Sequence, residues 1–397
     1  MKRLIAMLTS ALLAGSFAAT ARADGPSLQG EGEGLKLIAN VSYPGGSDME
    51  FLSRKGRDYA ITGSYGNTGA MHVIDITKPP KPKVVATLPC NLTQNDVQIS
   101  HDGQTVMLAS DPAGGPQSCL GIGKRGFMTV DISNIKKPRP IGFAENPSGS
   151  HNTTAHPTKP YVYNSSSGEI PGIVHIWSIK NPAKPKLANT YTLLGASAPH
   201  DISFNSRGTR AVLAGGGKSV ELLDTTDPEK PVFLTKTLCA SCSLSHDAKF
   251  TPDDGYVIVG DEAAGGGTFA CPGGALYFYE LQGSEEQPSF VLVGVYEPNE
   301  VLFATGTQLG SCTSHVMDVS DDGKHLAVSW YTAGTRYLDI SNMAGATFGD
   351  TGNGVREVGW FIPEDGDSWA SKFYKGRYIY SNDINRGFDV YRITAGD

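Results

Sequence analysis

A motif that recurs along the chain limits the possible folds more than any other feature. Each copy is an apolar run that ends in aspartate, with proline seven residues later, as in Asp75 to Pro82 and Asp131 to Pro138. Serine replaces aspartate once, and the last three copies are looser. The anchor residues of the copies are Asp75, Asp131, Ser178, Asp224, Glu280, Asp339 and Arg392. Repeats of about 50 residues are typical of β-propeller blades, so the spacing predicts seven blades.

Each repeat holds four short runs with the character of β-strands. In the fourth repeat they are Ile202–Phe204, Ala211–Ala214, Val220–Leu223 and Val232–Leu234. The chain also has 48 glycines and 24 prolines beside 39% hydrophobic residues, a composition that favours many short strands joined by tight turns. We therefore predict an all-β fold, a seven-bladed β-propeller.

The two ends of the chain complement each other. The last repeat stops after its third strand, near Ile393, whereas the N-terminal run Leu37–Val41 has no partner of its own and resembles outer strands such as Val84–Leu88. An N-terminal strand that completes blade seven would leave the ring without an open edge. We predict a single propeller domain over residues 35–397, closed by that strand.

The aspartate-anchored strands with Lys-Pro turns resemble the LVIVD-repeat proteins, which are exported propellers of bacteria and archaea. The resemblance covers nearly all of residues 35–394. It implies a propeller outside the cytoplasm, and it implies no particular chemistry because the family has no single established activity.

The first residues follow the pattern of a secretory signal peptide. Lys2 and Arg3 precede the apolar run Leu4–Ala19, and the segment Ala21–Ala23 suits signal peptidase. We predict a signal peptide over residues 1–23, an N-terminal linker over residues 24–34 and a periplasmic or secreted mature protein. No later stretch approaches roughly 18 uninterrupted apolar residues, which predicts no membrane span. The net charge of −7 is spread along the chain, so nucleic acid is not an expected partner, and we expect a monomer.

Histidine recurs near the start of the innermost strand in four consecutive blades. In a propeller the innermost strands line the central channel, so these side chains should converge on one axis. Imidazole ligands suit copper, iron, nickel or zinc better than magnesium or calcium. The sequence therefore predicts a transition-metal site formed by His151, His200, His246 and His315.

The same offset in the other blades gives Asp48 in blade one, Asn95 in blade two, and Ser368 or Trp369 in blade seven. Asp48 and Asn95 could complete the ligand set or orient it. The competing interpretation is that all these side chains fill the channel and hydrogen-bond to neighbouring blades or to water.

Six cysteines in an exported chain favour disulfides over thiol chemistry. Cys90 lies just before blade two, and Cys119 lies in the long loop of that blade. We predict that these two form a disulfide.

The other four cysteines leave alternatives. Either Cys239 or Cys242 is expected to pair with Cys271 in blade five, with Cys312 bonded to the other member. A bridge between Cys239 and Cys242 is the less favoured alternative.

The longest connections between strands fall on the ring face where the histidine strands begin, which we call the loop-rich face. Long loops are often functional, so this face is the expected surface for a small molecule, a protein or a glycan. Two functions follow as hypotheses: a metalloprotein, as an oxidoreductase or lyase on a small substrate, or a non-enzymatic propeller scaffold that binds a protein or glycan. The longest of these connections are Asp111–Gly126, Ser165–Gly172, Asp261–Gly274 and Glu297–Ser314.

Overall fold

The computed structural model describes most of the chain after the signal-peptide segment. The described residues are 28–66, 70–90, 96–110, 119–120, 124–166, 171–193, 198–215, 217–263, 273–298, 311–344 and 354–396. The predicted signal peptide, Asn95, Cys271 and most of the long loops lie outside these ranges.

β-Strands make up the regular structure of these residues, and no helix among them is long and apolar enough to cross a membrane. The strands are β1 (Gly30–Glu33), β2 (Leu35–Val41), β3 (Gly46–Arg54), β4 (Arg57–Ser64), β5 (Met71–Asp75), β6 (Lys83–Leu88), β7 (Val97–Ile99), β8 (Thr105–Ser110), β9 (Gly126–Asp131), β10 (Arg139–Glu145), β11 (Asn152–Ala155), β12 (Tyr161–Ser165), β13 (Ile173–Ser178), β14 (Lys186–Thr192), β15 (Pro199–Phe204), β16 (Arg210–Gly215), β17 (Ser219–Asp224), β18 (Val232–Leu238), β19 (Ser245–Phe250), β20 (Tyr256–Asp261), β21 (Leu276–Gly283), β22 (Pro288–Tyr296), β23 (Met317–Val319), β24 (His325–Ser329), β25 (Thr335–Asp339), β26 (Arg356–Pro363), β27 (Ser368–Phe373), β28 (Tyr378–Asp383) and β29 (Gly387–Ile393).

These strands form seven antiparallel sheets, one for each predicted blade, which confirms the seven-bladed propeller. Blades one to five are β3–β6, β7–β10, β11–β14, β15–β18 and β19–β22, and each is a four-stranded sheet. In these five blades the first strand lies innermost and the fourth lies at the rim. Sequence order therefore fixes which residues line the axis.

Both N-terminal strands join the C-terminal blades. Strand β2 pairs antiparallel with β29, with Leu37 opposite Tyr391, and so completes blade seven as predicted. Strand β1 adds a fifth strand to blade six by pairing with β26, with Glu31 opposite Ile362. The interpretation of residues 24–34 as a linker therefore fails for Gly30–Glu33, whose alternating glycine and glutamate gave no apolar strand pattern.

The anchor aspartates are explained by the turns that follow them. In four blades the carboxylate accepts a hydrogen bond from the backbone N–H two residues ahead, at 2.8–3.0 Å. This contact fixes the bend that leads from the third strand into the fourth. The four aspartates are Asp75, Asp131, Asp224 and Asp339.

The apolar core is divided among the contacts between blades. Seven clusters of buried hydrophobic side chains occur, each centred between two neighbouring blades, and together they run round the whole ring. The cluster between blades six and seven contains Leu35 and Leu37 from the N-terminal strand. Closure therefore supplies apolar packing as well as hydrogen bonds, while the axis is left to polar side chains.

Candidate metal centre

A break in strand pairing sets the direction of two of the axial histidine side chains. The pairing of β15 with β16 passes from Pro199 directly to Asp201, and that of β19 with β20 passes from Ser245 to Asp247. The skipped residues are His200 and His246. A β-bulge of this kind leaves one residue outside the ladder and redirects its side chain.

The four predicted histidines lie against one another in blade order. The ring centroids of His151 and His200 are 4.2 Å apart, those of His200 and His246 are 3.9 Å apart, and those of His246 and His315 are 4.1 Å apart. The side chains are buried, with residue exposures of 1–7%. The Nε2 atoms of His151 and His200 approach to 2.7 Å. The structure thus brings together all four residues on which the sequence hypothesis depends.

A carboxylate that the sequence analysis did not single out completes the cluster. Glu262 directly follows β20 and is 4% exposed. Its Oε2 lies 3.8 Å from Nε2 of His246, and its Oε1 lies 3.7 Å from Nε2 of His315. Ligand-capable atoms of His200, His246 and Glu262 all lie within 4.8 Å of one another. The only sequence signal was its place at the start of the long loop of blade five.

Tyr331 holds Glu262 in place. Its hydroxyl donates a hydrogen bond of 2.6 Å to Oε1 of Glu262, and its ring packs on His315. Burial and the neighbouring Glu262 raise the pKa of Tyr331 well above its usual range, so the phenol remains a donor. Its backbone φ is +42°, in the left-handed region that is costly for a residue with a side chain.

Burial keeps the imidazoles of His200, His246 and His315 neutral. It lowers the pKa of His200 and of His246 well below the usual range, and the neighbouring rings lower both further. Burial also lowers the pKa of His315, although Glu262 and a backbone hydrogen bond act in the opposite direction. A neutral imidazole offers a lone pair to a metal ion, whereas the protonated form cannot.

Several imidazole nitrogens lack partners among the described residues. Neither ring nitrogen of His246 has a hydrogen-bond partner there, and Nδ1 of His200 has none either. His315 differs, because its Nδ1 lies 2.6 Å from the carbonyl oxygen of Trp369. Donation to that oxygen fixes the tautomer and leaves Nε2 of His315 free to face Glu262.

The blades without an axial histidine have other kinds of side chain at the equivalent positions. Asp48 is buried and pairs with Lys372, its Oδ1 lying 2.9 Å from Nζ, and it does not join the histidine cluster. In blade seven the bulged residue is Trp369, whose ring packs on His315 with centroids 4.3 Å apart. Asn95 lies outside the described residues.

A channel of about 1210 Å³ runs along the axis. One end is formed by His200, His246 and His315. The other end lies at the turns that follow the innermost strands, on the face opposite the loop-rich face, which we call the turn-rich face. Residues at those turns that line the channel include Ser206, Pro252, Asp322 and Lys375.

The disulfides confirm one prediction and correct another. Cys90 and Cys119 are bonded as predicted. Cys239 is bonded to Cys242, so the expected pairing of one of them with Cys271 is wrong. The tight turn between β18 and β19, in which the Cys242 N–H donates to the Cys239 carbonyl, brings their Cα atoms to 5.3 Å, a normal disulfide separation. Cys312 is also disulfide-bonded.

Comparison with known proteins supports the fold and no particular function. No family model and no curated protein matches the chain. The β-propeller domain of Cps50 (Swd1) from Myceliophteria thermophila aligns with a TM-score of 0.61 at 10% identity, covering 90% of this chain and 100% of that one. A functionally unknown protein from Desulfotomaculum acetoxidans aligns with a TM-score of 0.55 at 16% identity, covering 79% of this chain and 88% of the other. At such identities the likeness extends to the fold alone.

Proposed function

We propose that the chain is an exported β-propeller that binds a transition metal at its axis through His200, His246 and Glu262, flanked by His151 and His315. The observation that carries the proposal is the set of buried imidazole nitrogens without partners among the described residues, next to a buried carboxylate. Buried polar groups are nearly always hydrogen-bonded, and exceptions call for a functional explanation. A bound ion would give one nitrogen of each of these rings a partner.

The donor set suits copper, iron, nickel or zinc. Imidazole nitrogen with a single carboxylate is a common environment for these ions, whereas magnesium and calcium favour oxygen donors. When bound, such an ion would supply Lewis acidity or one-electron redox capacity. The chain's own part is to hold neutral imidazoles in contact and to keep Glu262 oriented through Tyr331.

The activity that we propose is an oxidoreductase or lyase reaction on a small molecule. The support is the axial channel, which ends at the histidines and is large enough for such a substrate. Polar side chains on its wall would orient the molecule, while the surrounding blades limit its contact with bulk water.

Export and membership of the LVIVD-repeat propellers are further parts of this proposal. The signal-peptide pattern of residues 1–23 and the disulfides Cys90–Cys119 and Cys239–Cys242 favour an oxidising compartment. The family resemblance is supported by the anchor aspartates, because they form the same turn in four blades.

Elemental analysis of protein produced in the periplasm without an affinity tag tests the metal. We expect about one equivalent of a transition metal in the wild type and almost none in the double variant His200→Ala/His246→Ala. The matched control is His156→Gln, because His156 is equally buried but lies outside the cluster, bonded to the Gly208 carbonyl at 2.9 Å. This control should keep its metal.

A wild-type protein that remains metal-free after incubation with each of the four ions would contradict the proposal. The non-enzymatic scaffold that binds a protein or glycan would then become the leading hypothesis. Equal loss of metal in the His156→Gln control would also count against the axial site, since it would show that any damage to the ring releases the ion.

A further inference from the structure

The central channel offers a path from the turn-rich face to the axial histidines. We infer that a divalent metal cation reaches its site along this channel, an inference that rests on the proposed function. The inference adds a route for the ion and a preference of the channel for cations. The route begins at the turn-rich face and not at the loop-rich face.

The channel is continuous in its lining. The same cavity is bordered by His246 at one end, by Ser203 and Lys249 in the middle, and by Ser206 and Pro252 at the turn-rich face. Ser203 lies three residues beyond His200 on the same strand. A small solute on this path would therefore pass Ser203 before it meets the imidazoles.

Carboxyl groups outnumber cationic groups along the wall. Among the residues that the structure describes, seven aspartate and glutamate side chains line the channel, against four lysine and arginine side chains. Clefts with one predominant charge concentrate ions of the opposite sign and speed their association. The excess of carboxyl groups therefore favours cations.

The two lysines in the interior are already paired. Nζ of Lys249 lies 2.9 Å from Oδ1 of Asp247. Nζ of Lys372 lies 2.9 Å from Oδ1 of Asp48 and 3.0 Å from Oε1 of Glu50. Their positive charge is compensated within the wall and does not make the channel attractive to anions.

Other carboxyl groups of the wall are held by uncharged donors. Oδ2 of Asp96 accepts hydrogen bonds from the backbone N–H and the hydroxyl of Thr153, at 2.6 and 2.9 Å, and Oδ2 of Asp318 accepts one from the Phe373 N–H at 2.9 Å. Burial raises the pKa of Asp96 most, and Asp48 and then Asp201 add to the shift, so Asp96 holds a proton more readily than an exposed carboxyl group does. The negative charge of the wall therefore rests more on carboxyl groups at the turn-rich face, such as Asp322, whose pKa is lowered by the hydrogen bond from the Ser320 hydroxyl.

The inner end of the channel supplies an observation independent of the acidic wall. His246 lines the channel, is 1% exposed, and has no hydrogen-bond partner at either ring nitrogen within the described part of the chain. An acidic channel alone would show only a tendency to attract cations. A channel that ends at such an imidazole also provides a group that can bind the metal ion.

A cysteine introduced in the middle of the channel can be labelled with a bulky group that blocks the path. Ser203→Cys is a small change, and the described cysteines of the chain are all in disulfides. Benzyl methanethiosulfonate would react with the new thiolate, forming a disulfide with the benzylthio group while methanesulfinate leaves. The matched control is Ser289→Cys, which lies on an exposed position of the outer strand β22 and would carry the same label.

The measurement is the rate at which metal-free protein takes up Co²⁺, followed by visible absorption. We expect labelled Ser203→Cys to load about ten-fold or more slowly, with the wild-type amount bound at the end, because the plug narrows the path without touching a ligand. Labelled Ser289→Cys and unlabelled Ser203→Cys should load like the wild type.

Equal loading rates for the two labelled proteins would overturn the route and leave the metal site standing. A Ser203→Cys thiol that reacts only after denaturation would also overturn it, since the channel would then be closed to small molecules. A wild-type protein that takes up neither Co²⁺ nor any of the four proposed ions would remove both the route and the proposed function.

A second measurement tests the charge of the wall. We expect the wild-type loading rate to fall as ionic strength rises from roughly 0.01 M to 0.15 M, because salt screens the attraction. The double variant Asp321→Asn/Asp322→Asn, which removes two carboxylates at the turn-rich end of the channel, should load more slowly at low salt and respond less to salt. A wild-type rate that does not change with salt would show that the acidic wall has no part in loading.

Discussion

Blades three to six and blades seven, one and two present inner strands of the same architecture to one axis, but they fill it differently. In blade five the bulged residue is His246, whereas in blade seven the bulge at the same place presents Trp369. A bulge at this place therefore occurs in both regions, and the side chain that it carries differs between them. We call these regions the histidine half and the histidine-free half.

The two halves also differ in the contacts made by one buried basic side chain in each, Lys372 and His246. In the histidine-free half Lys372 contacts Asp48, Glu50 and the carbonyl of Met49. In the histidine half the described contacts leave His246 without a hydrogen-bond partner. Satisfied networks stabilise a fold, while polar groups that remain unsatisfied are more often kept for binding. The comparison thus separates a structural half from a functional one.

The largest expected effect is on stability in the histidine-free half. Lys372→Met would leave Asp48 and Glu50 without their cation, at a cost of about 3–5 kcal/mol in the free energy of unfolding. Urea denaturation of the metal-free protein measures this. Metal affinity of the folded variant should stay at the wild-type value. A stable variant with weakened metal binding would show that the two halves are not separate in function.

The second expected effect is on metal affinity in the histidine half. Glu262→Gln keeps the shape of the side chain but loses its charge, and metal affinity should fall about 10–100-fold, as measured by competition with a chelator. Tyr331→Phe removes the hydrogen bond that orients Glu262 and should have a smaller effect in the same direction. Unchanged affinity in Glu262→Gln would exclude the carboxylate as a ligand.

The smallest expected effect is on the stability of the metal-free protein, which should change in opposite directions when two buried histidines are replaced. His246→Leu should leave the metal-free protein as stable as the wild type or more stable, by about 1 kcal/mol, because it removes unsatisfied nitrogens. His156→Leu should destabilise by about 1–3 kcal/mol, because the Gly208 carbonyl loses one of its two donors and the N–H groups of Thr158 and Lys159 lose their acceptor, Nδ1 of His156. Thermal unfolding compares the two, and equal losses would contradict the distinction.

The fold was predictable from the sequence because its information is local and repeated. Each anchor aspartate forms a turn with the residue only two positions ahead. The spacing of these aspartates along the sequence therefore gives the positions of the blades. The closing strand was predictable since Leu37–Val41 has the pattern of an outer strand and blade seven lacks one. The four histidines were predictable for the same reason, because each occupies an equivalent place in its repeat.

Features outside the repeat were not predictable. Glu262 reaches the axis from the end of a second strand, so no comparison between blades could mark it. The Cys239–Cys242 bridge depends on the shape of one tight turn. Strand β1 pairs through its backbone and buries no apolar face, so its sequence resembles a linker.

The most direct test of the account is anomalous diffraction from crystals of metal-loaded protein, recorded on both sides of the absorption edge of the metal found by elemental analysis. The account predicts one strong anomalous peak on the axis, between His200, His246 and Glu262. A peak confined to other parts of the molecule, or a loaded crystal with no axial peak, would contradict the claim that these side chains form a metal centre.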